Sequence, residues 1–258
     1  MDLGIDGMKA IVCASSRGLG YGCAEALVQA GVDLTICART EKDINQAAEK
    51  LTSLGGKVNP ITCDVTSVIG RKKLLEACPD PDILINNAGG PPPGLWSDWN
   101  RDDFISALDA NMITPITLIK SVLPSMISKK WGRIVNITSQ AVKAPVPTLG
   151  LSNSARTGLT GYVAGTSRQV AKDGVTINNL LPGMHDTKRL VDLDTSLSKE
   201  KNISLENARA TRMSSIPIGR YGTVKEFGNV CAFICSQHAS FMIGQNILLD
   251  GGAVNSTI

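Results

Sequence analysis

The chain has 258 residues, 43% hydrophobic and 19% charged, with 26 Lys and Arg against 23 Asp and Glu for a net charge of +3. That surplus is too small to argue for a nucleic-acid ligand, and the only local basic cluster, Lys129, Lys130 and Arg133 around Trp131 and Gly132, reads as a solvated helix end and turn. Met1–Gly7 carries no apolar leader and no stretch reaches the roughly 20 apolar residues of a bilayer span, so composition predicts a cytoplasmic protein that engages neither nucleic acid nor membrane.

Met8–Ala14 is a short apolar run that predicts a first strand, and Gly18–Ala30 follows it with Ala24, Leu27 and Val28 on one helical face. Asp33–Arg39 predicts the second strand. The helix after it spaces Ile44, Ala47, Ala48 and Leu51 at i, i+3, i+4 and i+7. Further strands are expected at Val58–Val65, Ile83–Asn86, Arg133–Thr138, Thr176–Leu181 and Gln245–Leu249, with helices notably at Asp102–Ser121, Ser152–Lys172 and Val224–Ser236. Strands buried on both faces read as continuous apolar runs, as these do. The alternation implies one α/β domain spanning 1–258, a Rossmann-type doubly wound sheet of about seven parallel strands with helices on both faces.

The seven cysteines show no metal-ligand spacing. Cys13, Cys37 and Cys63 fall in strand-like runs and Cys231 and Cys235 lie four apart on a predicted helix, so packing is the expectation for all five. Two stretches break the rhythm. Gly89–Gly94 holds Pro91-Pro92-Pro93, which forbids helix and removes backbone donors. A polar insert at 184–217 lies beyond the sixth strand, where open α/β sheets bind ligands, and is a candidate lid.

After the first strand comes Ala14-Ser15-Ser16-Arg17-Gly18-Leu19-Gly20, directly opening a helix. Its glycines allow close backbone approach to a phosphate, and the helix start supplies N–H groups and a favourable dipole. The second strand ends at Ala38-Arg39 rather than at the acid that would bind a ribose 2′-hydroxyl. Arg39 and Arg17 are instead available for a 2′-phosphate, so NADP(H) is expected in preference to NAD(H), with NAD(H) possible.

That loop, together with Asp64-Val65, Asn86-Asn87-Ala88-Gly89, Asn111, Ser139 in Asn-Ile-Thr-Ser, Pro182-Gly183 and Asp250-Gly251-Gly252, resembles the short-chain dehydrogenase/reductase family, in its β-ketoacyl-ACP reductase-like branch. The likeness runs from about Gly4 to Gly252. It implies that Ser15, Ser16, Arg17, Gly18, Leu19 and Gly20 cradle the cofactor, that Asp64 and Val65 flank its adenine, and that Asn87, Ala88 and Gly89 line it. Pro182, Gly183 and Thr187 would close over the nicotinamide. Asn111 would kink its helix and hold a relay water, Ser139 would bond the substrate oxygen, and the molecule would be a homotetramer.

Two departures stand out. Ala14 replaces the first glycine of the loop and adds a methyl at a tight turn. The family's tyrosine and lysine, counted from Ser139, fall on Ser152 and Arg156, which keep the i, i+4 spacing but not the chemistry. Tyr162 is on the same helix, roughly 15 Å further along, and belongs to a packing stripe with Leu159 and Val163.

A serine is a far weaker acid than a lysine-activated tyrosine. Arg156 cannot hand on a proton, yet its planar fork can hold ribose hydroxyls and keep positive charge at the site. Proton donors to consider are Lys143, His185, and a water held by Ser139, Ser152 and Arg156, the last being preferred. The leading expectation is an NADP(H)-dependent oxidoreductase interconverting a carbonyl and an alcohol on a small carbonyl or acyl substrate. The rival is a catalytically silent dinucleotide-binding sensor on the same fold.

Overall fold

The computed structural model describes residues 1–256; Thr257 and Ile258, the last two residues of the expected domain, lie outside the described residues. Seven strands form one sheet: β1 (Lys9–Val12), β2 (Asp33–Ala38), β3 (Val58–Thr62), β4 (Ile83–Asn86), β5 (Gly132–Ile137), β6 (Val175–Pro182) and β7 (Asn246–Leu249). Every pairing is parallel and the order is β3-β2-β1-β4-β5-β6-β7. The strand order reverses between β1 and β4, which opens a crevice at their carboxyl ends.

Side chains of successive strand residues feed opposite layers. Ala10, Val12, Leu34, Ile36, Ile83 and Ile85 join one core layer with α1 (Gly18–Gln29), α2 (Glu41–Thr52) and α9 (Val224–Cys235). Ile11, Cys13, Cys37, Leu84, Ile134 and Ile177 join the other with α3 (Val68–Ala77), α5 (Thr114–Ser128) and α6 (Gly150–Val170). The apolar stripe of Ile44, Ala47, Ala48 and Leu51 is buried as its spacing predicts. All seven cysteines are free, and only Cys63 is not fully buried.

The helix expected at Asp102–Ser121 is longer and interrupted. It begins with α4 (Arg101–Leu108), closed at its start by an Asn100–Asp103 capping box, passes through a π-helical turn at Asp109–Ile113, and continues as α5. The whole run of 28 residues is long and apolar enough, by length and composition, to cross a bilayer. Leu118, Ile119, Val122 and Met126 instead bury one side of it in the second core layer.

Three further features were not expected. Arg133 is 3% exposed rather than solvated: its guanidinium donates to the carbonyls of Gly132, Gly174 and Ser236 and lies over Trp131. The 184–217 insert is a helical pair, α7 (Lys188–Lys201) and α8 (Leu205–Met213), pinned by the fully buried Asp194. That carboxylate accepts from the Tyr221 hydroxyl at 3.0 Å and sits 2.9 Å from Arg212 and 3.7 Å from Arg209. Finally, Asn86, Asn136, Asn179 and Asn246 stand in register on β4 to β7, each amide donating to the next at 2.9, 3.0 and 2.8 Å.

Candidate active site

The phosphate loop leaves β1 and enters α1 as the sequence implies. Arg17 is the N-cap, no side chain caps the helix, and no acid lies in its first turn. The amides of Gly18, Leu19 and Gly20 find no acceptor among the described residues, which leaves them and the helix dipole directed at an incoming anion. Gly20 has to be glycine, because a Cβ there would meet the Ala14 carbonyl oxygen at 2.5 Å. Ala14 itself takes the left-handed conformation, at φ 46°, so the loop keeps its shape at the expense of backbone strain.

Ser15 is turned away from the cleft. Its hydroxyl donates to the Val12 carbonyl and its side chain is buried, so any ligand contact by this residue is through the backbone. Ser16 is half-buried, while Arg17 and Arg39 are exposed; Arg17 lies 4.0 Å from Asp43, and Arg39 forms no ion pair among the described residues. Both guanidinium groups are therefore accessible beside the end of β2. Asp64 is pushed up by burial, but hydrogen bonds from the Thr66 amide and hydroxyl, with the charge of Arg39, outweigh this and hold it below the usual carboxylate range. Val65 is buried in the second core layer. Asn87 donates to the Ala14 carbonyl and so ties β4 to the phosphate loop, with Ala88 and Gly89 following at the crevice.

Beyond β6, Gly183 donates to the Leu249 carbonyl and packs so tightly on Asp250 that a Cβ would lie 2.6 Å from its Cα. Thr187 faces the phosphate loop, its methyl 3.8 Å from the point where a Cβ on Gly18 would stand. His185, one of the proton donors considered, is buried against Phe227 and hydrogen-bonded to the Gly183 carbonyl, with burial lowering its pKa. Lys143 is exposed on its loop. Neither is placed by a contact to Ser139 or Ser152.

Ser139 caps a short turn, accepting from the Ala141 amide at 3.1 Å and leaving its own proton to donate. Ser152 and Arg156, on one face of α6, are 6% and 9% exposed. Arg156 donates from Nε to the Ser152 oxygen at 3.2 Å and from Nη1 to the Ile137 carbonyl at 2.8 Å. Its fork is thus partly committed within the protein: Nη2 alone has no hydrogen bond among the described residues, so a two-pronged grip on ribose hydroxyls is not preformed. Burial and the charge of Arg189 push the Arg156 pKa down to about 10. Tyr162 packs on the second core layer.

The π-helical turn is centred on Asn111 and interrupts the regular α-helix there. Its side-chain oxygen is buried without a partner, as are those of Gln140 and Asn153. The Gln140 oxygen lies 2.9 Å from where a Cβ on Gly183 would stand. These orphaned acceptors, with the open amides of α1, suit a bound dinucleotide and ordered water.

Arg189 was not anticipated. It reaches from the first turn of α7 to the Gly/Pro loop, donating to the carbonyls of Gly90 at 3.1 Å and Pro91 at 3.2 Å. The available signal was a helix start with Lys188-Arg189 and no acid in its first turn.

Residues 13–254 match the family described as Enoyl-(Acyl carrier protein) reductase. The chain is 31% identical to the 3-oxoacyl-[acyl-carrier-protein] reductase of Chlamydia pneumoniae, over 98% of this chain and 99% of that one. Its fold matches the L-sorbose reductase of Gluconobacter frateurii, complexed with NADPH and L-sorbose, with a TM-score of 0.94, 24% identity and coverage of 99% and 100%. It also matches a 3-oxoacyl (acyl-carrier-protein) reductase of Agrobacterium tumefaciens with NADP bound, at 27% identity, a TM-score of 0.89 and coverage of 97% and 96%. The chain belongs to the short-chain dehydrogenase/reductase family of NAD(P)-dependent oxidoreductases.

Proposed function

We propose that the protein is an NADP(H)-dependent reductase of a small carbonyl or acyl compound, related to the 3-oxoacyl reductases but working through Ser152 and Arg156. The observation that carries this reading is the hydrogen bond from Arg156 Nε to Ser152. With its oxygen accepting from a cation, the serine keeps its own proton to donate, and the neighbouring charge makes that proton easier to give. A bound reduced nicotinamide supplies the hydride for a carbonyl carbon.

Ser139 and Ser152 would hold the substrate oxygen, and Ser152 would give its proton as charge develops there. Arg156 would stabilise the serine oxygen and, through Nη2, orient the cofactor ribose. Water bound to the unpartnered oxygen of Asn111 would return the proton, since the π-helical turn packs against α6. A serine in place of a stronger acid forgoes part of the ~10²–10⁴-fold usually supplied by general acid catalysis, while hydride positioning is untouched.

Arg17 and Arg39 favour NADPH over NADH, and the helical pair α7–α8 covers the substrate end of the cleft. Four copies would associate through the Arg101–Ser128 run, where Ile105 and Ile113 are exposed, and through α6; light scattering at micromolar concentration should give a tetramer mass. The reading is tested by NADPH oxidation at high enzyme concentration across ketones, quinones and acyl thioesters. Turnover that falls at least tenfold in Ser152→Ala supports it. Tight NADPH binding without turnover on any of them overturns it in favour of a cofactor sensor.

A further inference from the structure

We infer that the substrate carries a carboxylate, and that Arg189 on α7 binds it at the mouth of the cleft beside Arg156. This rests on the reductase reading above and narrows its substrate class. Two guanidinium groups stand past the ends of adjacent strands, Arg156 on the Ile137 carbonyl of β5 and Arg189 on the carbonyls of Gly90 and Pro91 beyond β4. Arg156 is buried, with a serine oxygen and a backbone carbonyl as its hydrogen-bond partners among the described residues. Arg189 is held by two further backbone carbonyls, those of Gly90 and Pro91. Neither forms an ion pair with a carboxylate among the described residues.

The neighbouring acids are engaged elsewhere or stand apart. Asp186 is bound by Arg209, and Asp194 by Arg209, Arg212 and Tyr221. Asp250 accepts from the amides of Gly252 and Val254, and Asp98 from that of Leu95. Asp192, three residues beyond Arg189 on α7, makes no ion pair with it. The start of α7 adds to the positive field, because no acid lies in its first turn and no side chain caps it.

Carbonyl oxygens position a guanidinium but carry no net negative charge, so the buried Arg156 and the solvent-exposed Arg189 both lack a carboxylate counter-charge among the described residues. The charge of Arg189 adds to burial in lowering the Arg156 pKa. Gly90 makes this placement possible: a Cβ there would lie 2.4 Å from Arg189 Nη1. The Gly/Pro loop is thus the seat of a cation as well as a wall of the cleft.

The other oxyanion at hand is the cofactor's pyrophosphate, for which the open amides at the start of α1 are the matching site. Thr187 faces those amides across Gly18, while Arg189 turns to Gly90 and Pro91. That division assigns Arg189 to the substrate. A planar fork can take a carboxylate through two parallel bonds, which fixes where the adjoining carbonyl lies relative to Ser139 and Ser152.

The test compares oxo acids with their neutral esters: phenylpyruvate with methyl phenylpyruvate, and levulinate with methyl levulinate. Initial rates are measured with NADPH, and melting temperature is followed for NADP⁺-loaded protein titrated with the unreactive phenylacetate and phenylacetamide. The acids should be preferred at least tenfold in kcat/KM. Arg189→Met should reduce that preference at least tenfold, chiefly through KM, and Arg189→Lys should restore part of it. Gly90→Ala displaces the guanidinium from the opposite side and should reproduce the loss if Arg189→Met fails to fold. Phenylacetate, and not the amide, should raise the melting temperature in an Arg189-dependent way.

Esters reduced as well as acids, with no effect of Arg189→Met on the ratio, would overturn the carboxylate site and leave the reductase standing. Arg189-dependent binding of phenylacetate without reduction of any compound would overturn the reductase and leave the anion site standing. A change in NADPH affinity alone, equal for acid and ester, would move Arg189 to the cofactor phosphates and overturn the proposal.

Discussion

Arg156 donates from Nε to the hydroxyl oxygen of Ser152 across one turn of α6, at 3.2 Å. Counted from Ser139, the pair stands where the family resemblance implies a tyrosine and a lysine, and on the function proposed above the direction of influence differs. The cation acts on the serine itself, and its Nη1 is anchored to the end of β5 through the Ile137 carbonyl. A lysine at 156 would have to serve both acceptors from a single ammonium nitrogen, without the two separated donors of a planar fork, and a tyrosine ring at 152 would have to be accommodated at a position that is only 6% exposed.

Restoring the family pair should therefore reduce activity. On whichever substrate is identified, Ser152→Tyr/Arg156→Lys is expected to lower kcat at least tenfold, with Arg156→Lys alone also raising the KM for NADPH. A double variant that turns over faster than the parent with unchanged cofactor affinity would show that the serine and arginine are a relic.

Ala14 adopts φ 46° in the phosphate loop. A left-handed alanine costs about 1–2 kcal/mol, of which glycine would recover part because its unfolded chain is more flexible. Ala14→Gly should stabilise the protein by roughly 0.5–1 kcal/mol, a rise of about 1–3 °C in Tm for a chain of this size. Calorimetry at one pH is sufficient, and a fall in Tm would contradict the strain.

His185 gives the fold a mild acid sensitivity. Burial lowers its folded pKa below the unfolded value near ~6.5. The unfolded chain then binds more protons, so this residue's contribution to stability falls as pH drops from about 6.5 through the folded pKa and is constant below it. Glu226, the acid acting on this ring, is held down to about 2 by hydrogen bonds from Arg220 and Thr223 and stays ionised across that window. His185→Gln should flatten the dependence of Tm on pH between about 5 and 7. An unchanged slope would mean that other groups account for it.

The α7–α8 pair is an ordered element tied together at Asp194. Asp194→Asn keeps an acceptor for Tyr221 but leaves Arg212 without its counter-charge and Arg209 with Asp186 alone, at a cost on the order of 3 kcal/mol. Burial and the carboxylate together push the Tyr221 hydroxyl up to about 12, so it remains a donor throughout the working range. Hydrogen exchange should accelerate across 188–213 while the amides of β4, β5 and β6 keep their protection. Uniform acceleration over the sheet would show that the pair folds as one unit with the rest.

The sheet was legible because its strands alternate their residues between two apolar layers, and the stripe on α2 because its spacing is helical. The order of the phosphate loop, Asn87, Asn111, Ser139 and the Ser152–Arg156 pair could also be read in one dimension. What could not be read depends on partners distant in the chain. Arg133 looked solvated because its acceptors at Gly174 and Ser236 are not sequence neighbours. Arg189 looked like an ordinary residue of a polar insert because its seat, Gly90, lies 99 residues earlier. The inward turn of Ser15 and the π-helical turn at Asn111 have no signature in composition or period.

The asparagine row of β4 to β7 acts as a ruler for the crevice. Its four amides point the same way, so none can be turned over without setting like groups against each other. Asn87, Ser139 and Gly183 lie just past the ends of β4, β5 and β6, and a slip of one strand by one residue would leave two interior amides unpaired. The row thus converts a demand for hydrogen bonds into a fixed offset between residues brought together from three distant parts of the chain. It also makes the alignment hard to alter piecemeal, because replacing any inner member with leucine deprives two neighbours at once.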